Sequence, residues 1–96
     1  MHDPIATRSL TYRDDTGGEQ PLLVALAKPE DDGGAWACRY AISGAYEHAG
    51  TAYGGDSVQA LMLALQAVAA HMNTPKLRGR VSMPTLDGHG FPEPPR

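Results

Sequence analysis

The residues of this chain whose side chains could do chemistry are a single cysteine, Cys38, and four histidines. A cysteine beside a histidine can form a nucleophile pair, in which the imidazole takes the proton of the thiol. Cys38, however, shares one side of an alternating stretch with Trp36 and Ile42. A cysteine in such a position is normally an inert part of the core. We therefore predict no catalytic residue.

The histidines also bear on metal binding. Histidine ligands of zinc usually follow a short spacing such as H-x-x-x-H, or are completed by cysteines. These four residues are far apart in the sequence and no second cysteine is present, so we predict no metal site and no cofactor. The four residues are His2, His48, His71 and His89.

A glycine pair followed by an acidic residue, GGDS at residues 54–57, precedes an apolar stretch. The carboxylate of Asp56 can accept hydrogen bonds from the first free backbone N–H groups of a helix, and Gln59 completes a variant of the capping box. A helix N-terminus can also receive an anion, although the charge of Asp56 would repel phosphate. The segment is therefore predicted as a helix cap or, alternatively, as a ligand site formed by Gly55, Asp56 and Ser57.

Residues 56–73 form the longest periodic stretch and predict a helix. It should end before Pro75, because the residue before a proline avoids helical backbone angles. At about 100° per residue, most of the large apolar side chains fall on one side, which we predict to be the core face. The predicted core residues of the helix are Val58, Leu61, Met62, Leu65, Val68, Ala69 and Met72.

The rest of this helix surface is unusual, because no lysine, arginine, aspartate or glutamate occurs between residues 57 and 73. A helix that is apolar on most sides is normally buried on most sides, and a chain of 96 residues has little with which to cover it twice. We therefore predict that a second copy of the chain, or another protein, covers it. Alanine is also simply a good helix former, which is the alternative explanation. The predicted interface residues are Ala60, Leu63, Ala64 and Ala67.

Four stretches before the helix have the composition or alternation of β-strands, and turn residues separate them. They lie at residues 5–13, 22–28, 35–43 and 46–53, and the second should be buried on both faces. A weaker stretch at residues 77–83 is a candidate fifth strand at an edge. Short connections favour an antiparallel meander. The predicted fold class is α+β, with one long helix across one face of a four-stranded or, with this addition, five-stranded antiparallel sheet.

Length and composition predict a single domain at residues 1–83, followed by a tail rich in proline and glycine at residues 84–96. The single cysteine excludes an internal disulfide and fits a reducing compartment. No apolar run reaches the ~18 residues of a membrane span, and no signal sequence is recognisable. These features predict a cytoplasmic protein that does not bind membranes.

Three short motifs together carry a resemblance to a known family. They are W-x-C at residues 36–38, G-x-D-S-x-Q-A-L at residues 54–61 and G-F-P at residues 90–92. In this combination the chain resembles a family of small bacterial proteins that is known only as a domain of unknown function. The resemblance covers most of the chain from residue 8 onward. It implies a strand-rich domain with one helix, and it implies no activity.

Three functions therefore stand as hypotheses. The first is a non-catalytic protein-binding module, such as an inhibitor or immunity-type protein. It is favoured by the uncharged helix and by acidic turns that could attract a basic partner, although such turns are also typical of soluble loops. The second is a small-ligand binder or enzyme with a site at the N-terminus of the helix. The third is a weak nucleic-acid binder that uses Lys76, Arg78 and Arg80. A net charge of −3 argues against nucleic acid as a main partner.

Overall fold

The computed structural model describes residues 3–83 and 88–92 and has one helix packed on one face of an antiparallel sheet. Its elements are β1 (Ala6–Arg13), β2 (Glu19–Leu26), β3 (Glu30–Asp32), β4 (Ala35–Gly44), β5 (His48–Gly54), α1 (Ser57–Met72) and β6 (Val81–Ser82). The α+β class is confirmed. Within the described residues the sheet has six strands, whereas four or five were predicted. β6 lies within the candidate fifth strand, and β3 forms in a predicted turn. No helix in this part of the chain is long and apolar enough to cross a membrane.

The long strands β1, β2, β4 and β5 follow one another as antiparallel neighbours, as the short connections predict. Their order across the sheet is β6-β1-β2-β4-β5, and β3 pairs with β4 beyond the end of β2. Leu26 faces Tyr40, and Glu30 faces Ala37. The three residues between Leu26 and Glu30 therefore lie opposite the two residues between Ala37 and Tyr40. Such a bulge bends a strand, and it contains Pro29, whose nitrogen cannot donate to the ladder. β2 and β3 are thus two parts of one bent strand.

The hydrophobic core lies between α1 and one face of the sheet. Side chains alternate along a strand, so every second residue of β1, β2 and β4 points into it. On the opposite face, Leu23, Arg39 and Thr51 are exposed. The prediction that residues 22–28 are buried on both faces was therefore wrong, because the helix covers only one. The buried strand residues are Leu10, Tyr12, Leu22, Val24, Leu26, Cys38, Tyr40, Ile42 and Val81.

Helix α1 begins and ends where the sequence predicts, with Asp56 as the N-cap and Asn73 as the C-cap. The side that faces the sheet, however, differs from the predicted one. Val58 and Met62 were assigned to the core and are 64% and 53% exposed. The core face is rotated by roughly 60° toward the alanines. The buried helix residues are Ala60, Ala64, Val68, Ala69 and Met72.

Small residues on β5 explain this rotation. Gly50, Ala52 and Gly54 lie at alternate positions and share the face of β5 that points toward α1. Because these three positions carry no bulky side chain, the helix backbone approaches closely, and a Cβ at Gly54 would lie 2.5 Å from the backbone nitrogen of Ala60. Only small side chains fit in so narrow a gap. The large side chains of Val58 and Met62 are turned to one flank of the helix.

The chain after α1 closes one side of the core. Residues 74–80 form consecutive turns, in which the fully buried Leu77 donates its N–H to the carbonyl oxygen of Thr74 at 3.0 Å. β6 then pairs with β1, so part of the candidate strand at residues 77–83 is present. Farther along, Phe91 is buried. Residues 84–87 and 93–96 of the predicted tail lie outside the described residues. The same is true of His2, one of the four histidines considered above as metal ligands.

Candidate binding surfaces

The segment predicted as a helix cap or ligand site is a cap in the structure. Asp56 Oδ1 accepts a hydrogen bond from the backbone N–H of Gln59 at 2.7 Å, and Gln59 Oε1 accepts one from the backbone N–H of Gly55 at 2.6 Å. This is the reciprocal pattern of a capping box, with the glutamine reaching one residue farther back than usual. Ser57 is the first residue of α1. The side chains of Asp56 and Gln59 are therefore both engaged with the backbone, which favours the cap over the ligand site.

Two of the four predicted interface residues cannot contact a partner. Ala60 and Ala64, which we call the alanine stripe, are 0% exposed because they form the contact between α1 and the sheet. The prediction was wrong for these two. Leu63 is 37% exposed and Ala67 is half-buried, and both lie on the side of α1 away from the residues that meet β2. For them, contact with a partner stays a prediction.

An apolar cleft of about 300 Å³ opens on the other flank of α1. Leu61 and Leu65 line one side, residues of β1 and β2 line its base, and residues 90–92 line the other side. Phe91 is held there by Arg8, whose guanidinium lies 4.6 Å from the ring centre and donates a hydrogen bond to the carbonyl oxygen of His89 at 3.0 Å. The strand, the helix and the C-terminal segment thus build the cleft together.

Large apolar side chains are exposed beside this cleft. Ile5 lines it and is 52% exposed. Val58 and Met62 each lie three residues before a leucine of the cleft, and residues at that spacing are neighbours on a helix surface. We call the cleft together with Ile5, Val58 and Met62 the apolar flank. Neither Ile5 nor Phe91 was predicted as a surface residue, and the signal for Phe91 was the G-F-P motif at residues 90–92 in a tail rich in proline and glycine.

A cluster of four rings lies at the end of α1 opposite to the cap. The rings of His48 and His71 lie with their centres 3.9 Å apart and their planes tilted by 34°. The ring of Tyr40 lies 5.9 Å from the first and 6.4 Å from the second. Tyr46 Oη lies 2.8 Å from His71 Nδ1. The two histidines meet because α1 runs back along β5, which brings the start of the strand to the end of the helix.

The surroundings of His71 favour its neutral form. Burial lowers its pKa from the ordinary value of 6.5, and the neighbouring His48 lowers the pKa further. Neutral Nδ1 can then accept a hydrogen bond from the hydroxyl group of Tyr46. Among residues 3–83 and 88–92, no group of three or more histidine, cysteine or acidic side chains could hold a metal ion. We therefore interpret the cluster as a packing contact between α1, β4 and β5.

Cys38 lies inside the core, as the alternation of its strand predicts. It is fully buried, and its Sγ lies 3.4 Å from the carbonyl oxygen of Ala27. Burial raises the pKa of the thiol. Since the thiolate is the nucleophilic form, this environment disfavours covalent catalysis by Cys38.

The basic segment after α1 is largely engaged within the chain. Lys76 Nζ donates a hydrogen bond to the carbonyl oxygen of Ala45 at 2.6 Å, and Arg80 forms an ion pair with Asp15. Arg78 is exposed. Because a carboxylate and a carbonyl oxygen already accompany two of the three positive charges, the segment offers only a weak positive field to nucleic acid.

Comparison with known proteins identifies a family but no function. Residues 6–93 match the model of a family described as Domain of unknown function (DUF6968), and this range includes every helix and strand described above. A search of curated proteins and a search of solved structures each found no match to the chain. Functional inference therefore depends on the surfaces of the fold itself.

Proposed function

The chain belongs to this family of unknown function, and we propose that it is a non-catalytic protein-binding module that acts by occupying its partner. An inhibitor or an immunity-type protein works in this way. The surface that we assign to the partner is the apolar flank. A bacterial origin and a cytoplasmic location belong to the same proposal.

The exposure of large apolar side chains beside an apolar cleft is the observation that supports this proposal. Each CH₂ group that leaves water on binding contributes about 0.8 kcal/mol, so Ile5, Val58 and Met62 can contribute substantially to binding. Single exposed apolar residues are common, but several around one cleft form a patch, and such patches mark interaction sites. An apolar side chain of a partner that enters between Leu61 and Phe91 would bury the patch and fill the cleft together.

A small-ligand binder is the second candidate, with the ligand in this cleft instead of at the helix N-terminus. The cleft volume of about 300 Å³ is at the lower limit of sites for small molecules, which span about 300–1,000 Å³. Its described lining has one charged residue, Arg8, and Arg8 is already engaged with Phe91 and His89. Few polar groups are therefore left to orient a ligand, which favours the protein partner.

The proposal is tested by capture of a partner from extracts of cells that express the chain. Wild-type protein, Met62→Glu and Ala70→Glu are immobilised, and the retained proteins are compared by mass spectrometry. Both substitutions add one negative charge at an exposed position of α1, but Ala70 lies outside the apolar flank. We expect at least one protein to be retained by wild type and Ala70→Glu and to be reduced by about tenfold or more with Met62→Glu.

Two other outcomes would count against a protein partner. The same proteins retained by all three variants would mean that the apolar flank does not bind them. If no protein is retained, but a small apolar molecule binds wild type and Ala70→Glu and not Met62→Glu, the second candidate replaces the first. Far-UV circular dichroism of each variant excludes unfolding as the cause.

A further inference from the structure

β5 forms one lateral edge of the sheet. It pairs with β4 along residues 48–54 and, within the described part of the chain, with no other strand. The backbone N–H and C=O groups on its outer side can therefore pair with another strand. Exposed edges of this kind are templates for pairing between chains.

Other open edges of the sheet carry features that prevent such pairing. β3 is three residues long and consists of Glu30, Asp31 and Asp32. β6, at the opposite side of the sheet, has two residues. β5 has seven residues and contains no lysine, arginine, aspartate, glutamate or proline. Short length, charge and proline are the usual protections of an edge strand, and β5 lacks all three.

The sequence of β5 is complementary to itself in an antiparallel register centred on Thr51. On the exposed face of the sheet, Ala49 of one copy would face Tyr53 of the other, and the two Thr51 residues would face each other. A small side chain thus meets a large one, and threonines directly opposite each other are a favourable cross-strand pair. No like charges oppose each other in this register.

The face of β5 toward α1 is complementary in the same register. There His48 of one copy would face Gly54 of the other, and Gly50 would face Ala52. Again the one large side chain meets the smallest residue. A self-complementary strand favours a second copy of this chain over an unrelated strand, because a two-fold axis satisfies both faces at once.

Helix α1 would widen the contact that two copies make at this edge. Gly54 lies against Ala60 at one end of β5, and His48 contacts His71 at the other end, so Thr51 is level with the middle of the helix. A two-fold axis at Thr51, perpendicular to the sheet, places two α1 helices side by side on the same face. The exposed side of each helix toward the partner carries Leu63 and Ala67.

We propose that two copies of the chain pair antiparallel through β5, with the two-fold axis at Thr51, and form one continuous sheet. Antiparallel pairing of seven residues supplies about six to eight backbone hydrogen bonds between the copies. The inference goes beyond the proposed function and does not depend on it, since the apolar flank lies on the other side of α1.

Solution mass tests the dimer. Light scattering over a concentration series is measured for wild type, Thr51→Lys and Ser9→Lys. Both positions are exposed on the same open face of the sheet, but only Thr51→Lys puts two like charges opposite each other across the axis. We expect a concentration-dependent dimer for wild type and Ser9→Lys, and a dissociation constant raised by about fivefold or more for Thr51→Lys. Circular dichroism confirms that both variants are folded.

A disulfide tests the register directly. Facing Cα atoms in an antiparallel pair lie about 4.5–5.5 Å apart, within the range that a disulfide spans. Thr51→Cys should therefore form a covalent dimer under mild oxidation and Ser9→Cys should not, while Cys38 is fully buried and does not interfere. A wild type that is monomeric at every concentration, or a Thr51→Cys variant that crosslinks no faster than Ser9→Cys, overturns the proposal. Neither result affects the capture experiment with Met62→Glu.

Discussion

Replacement of Gly54 by alanine should lower the free energy of unfolding by about 1–2.5 kcal/mol. A Cβ at this position would lie 2.5 Å from the backbone nitrogen of Ala60, 2.9 Å from the carbonyl carbon of Gln59 and 3.0 Å from Ala60 Cα. All three are backbone atoms in the first turn of α1, which the Asp56 cap holds in place. They cannot rotate away as a side chain would, so the helix itself has to move.

The magnitude combines two opposing contributions. An extra carbon forced into a packed contact costs about 1–3 kcal/mol, and three contacts with backbone atoms place this case in the upper half of that range. Alanine also restricts the unfolded chain more than glycine does, which stabilises the fold by about 0.4–1 kcal/mol. The difference is a net loss of about 1–2.5 kcal/mol.

Gly55→Ala is the matched control, one residue farther along the chain. Its Cβ would meet only Gln59 Oε1, at 3.4 Å, and that flexible side chain can adjust. We expect no loss, or a gain of up to about 1 kcal/mol. Urea unfolding of both variants is followed by circular dichroism and by the fluorescence of Trp36, the single tryptophan, which pairs with Gly54 in the sheet.

Equal unfolding midpoints for the two variants would refute this reasoning. They would mean that α1 does not approach β5 closely at Gly54. The alanine stripe would then have no reason to be the core face, and the face that includes Val58 and Met62 would again be the better prediction.

Two further predictions concern the helix face and the histidine pair. Met72→Ala should cost about 2–5 kcal/mol because Met72 is buried, whereas Met62→Ala at an exposed position should stay within about 0.5 kcal/mol. Similar losses for the two in urea unfolding would contradict the observed face of α1. The pKa of His71 is lower in the folded chain than the ordinary value of 6.5, so the unfolded chain binds more protons than the folded chain between these two pKa values. Stability therefore decreases as the pH falls from 6.5 to the pKa of the folded chain. His71→Gln should reduce this decrease in unfolding experiments between about pH 8 and about pH 5; an unchanged pH profile would speak against the shift.

The ends of α1 were predictable because they depend on neighbouring residues. Asp56 and Gln59 form the cap, and Pro75 follows soon after the last turn. Local alternation also located the long strands: residues 5–13 were predicted for β1, which is Ala6–Arg13, and residues 35–43 for β4, which is Ala35–Gly44. β6 is shorter than predicted because consecutive turns continue up to Arg80, whose N–H donates to the carbonyl oxygen of Leu77.

The face of α1 that meets the sheet was not predictable from the helix alone. Hydrophobicity favours the side with the largest apolar residues, but the partner surface decides which side fits. That surface is β5, where Gly50 is also required because a Cβ there would lie 2.5 Å from Tyr40 Oη. The sequence does contain a signal, since Gly50, Ala52 and Gly54 are small residues at every second position. Small residues in this pattern indicate one strand face that another element approaches closely.

The candidate surfaces were less predictable than the elements that form them. The apolar flank combines residues of β1, β2, α1 and the C-terminal segment, which tertiary structure alone brings together. The contact between His48 and His71 likewise requires α1 to run back along β5. Asp56 was located correctly because a helix cap depends on residues only three positions apart.

The rotation of α1 bears on why this helix has no charged residue on any side. Its alanine stripe is used by the sheet, and its outermost side carries polar glutamine such as Gln59. Two flanks remain, one with Val58 and Met62 and the other with Leu63 and Ala67. On flanks that stay in water, charged residues improve solubility at little cost in stability. Small side chains at the helix–sheet contact also bury less apolar area than large ones. The uncharged flanks therefore favour a contact on each side, with a partner at the apolar flank and a second copy at β5.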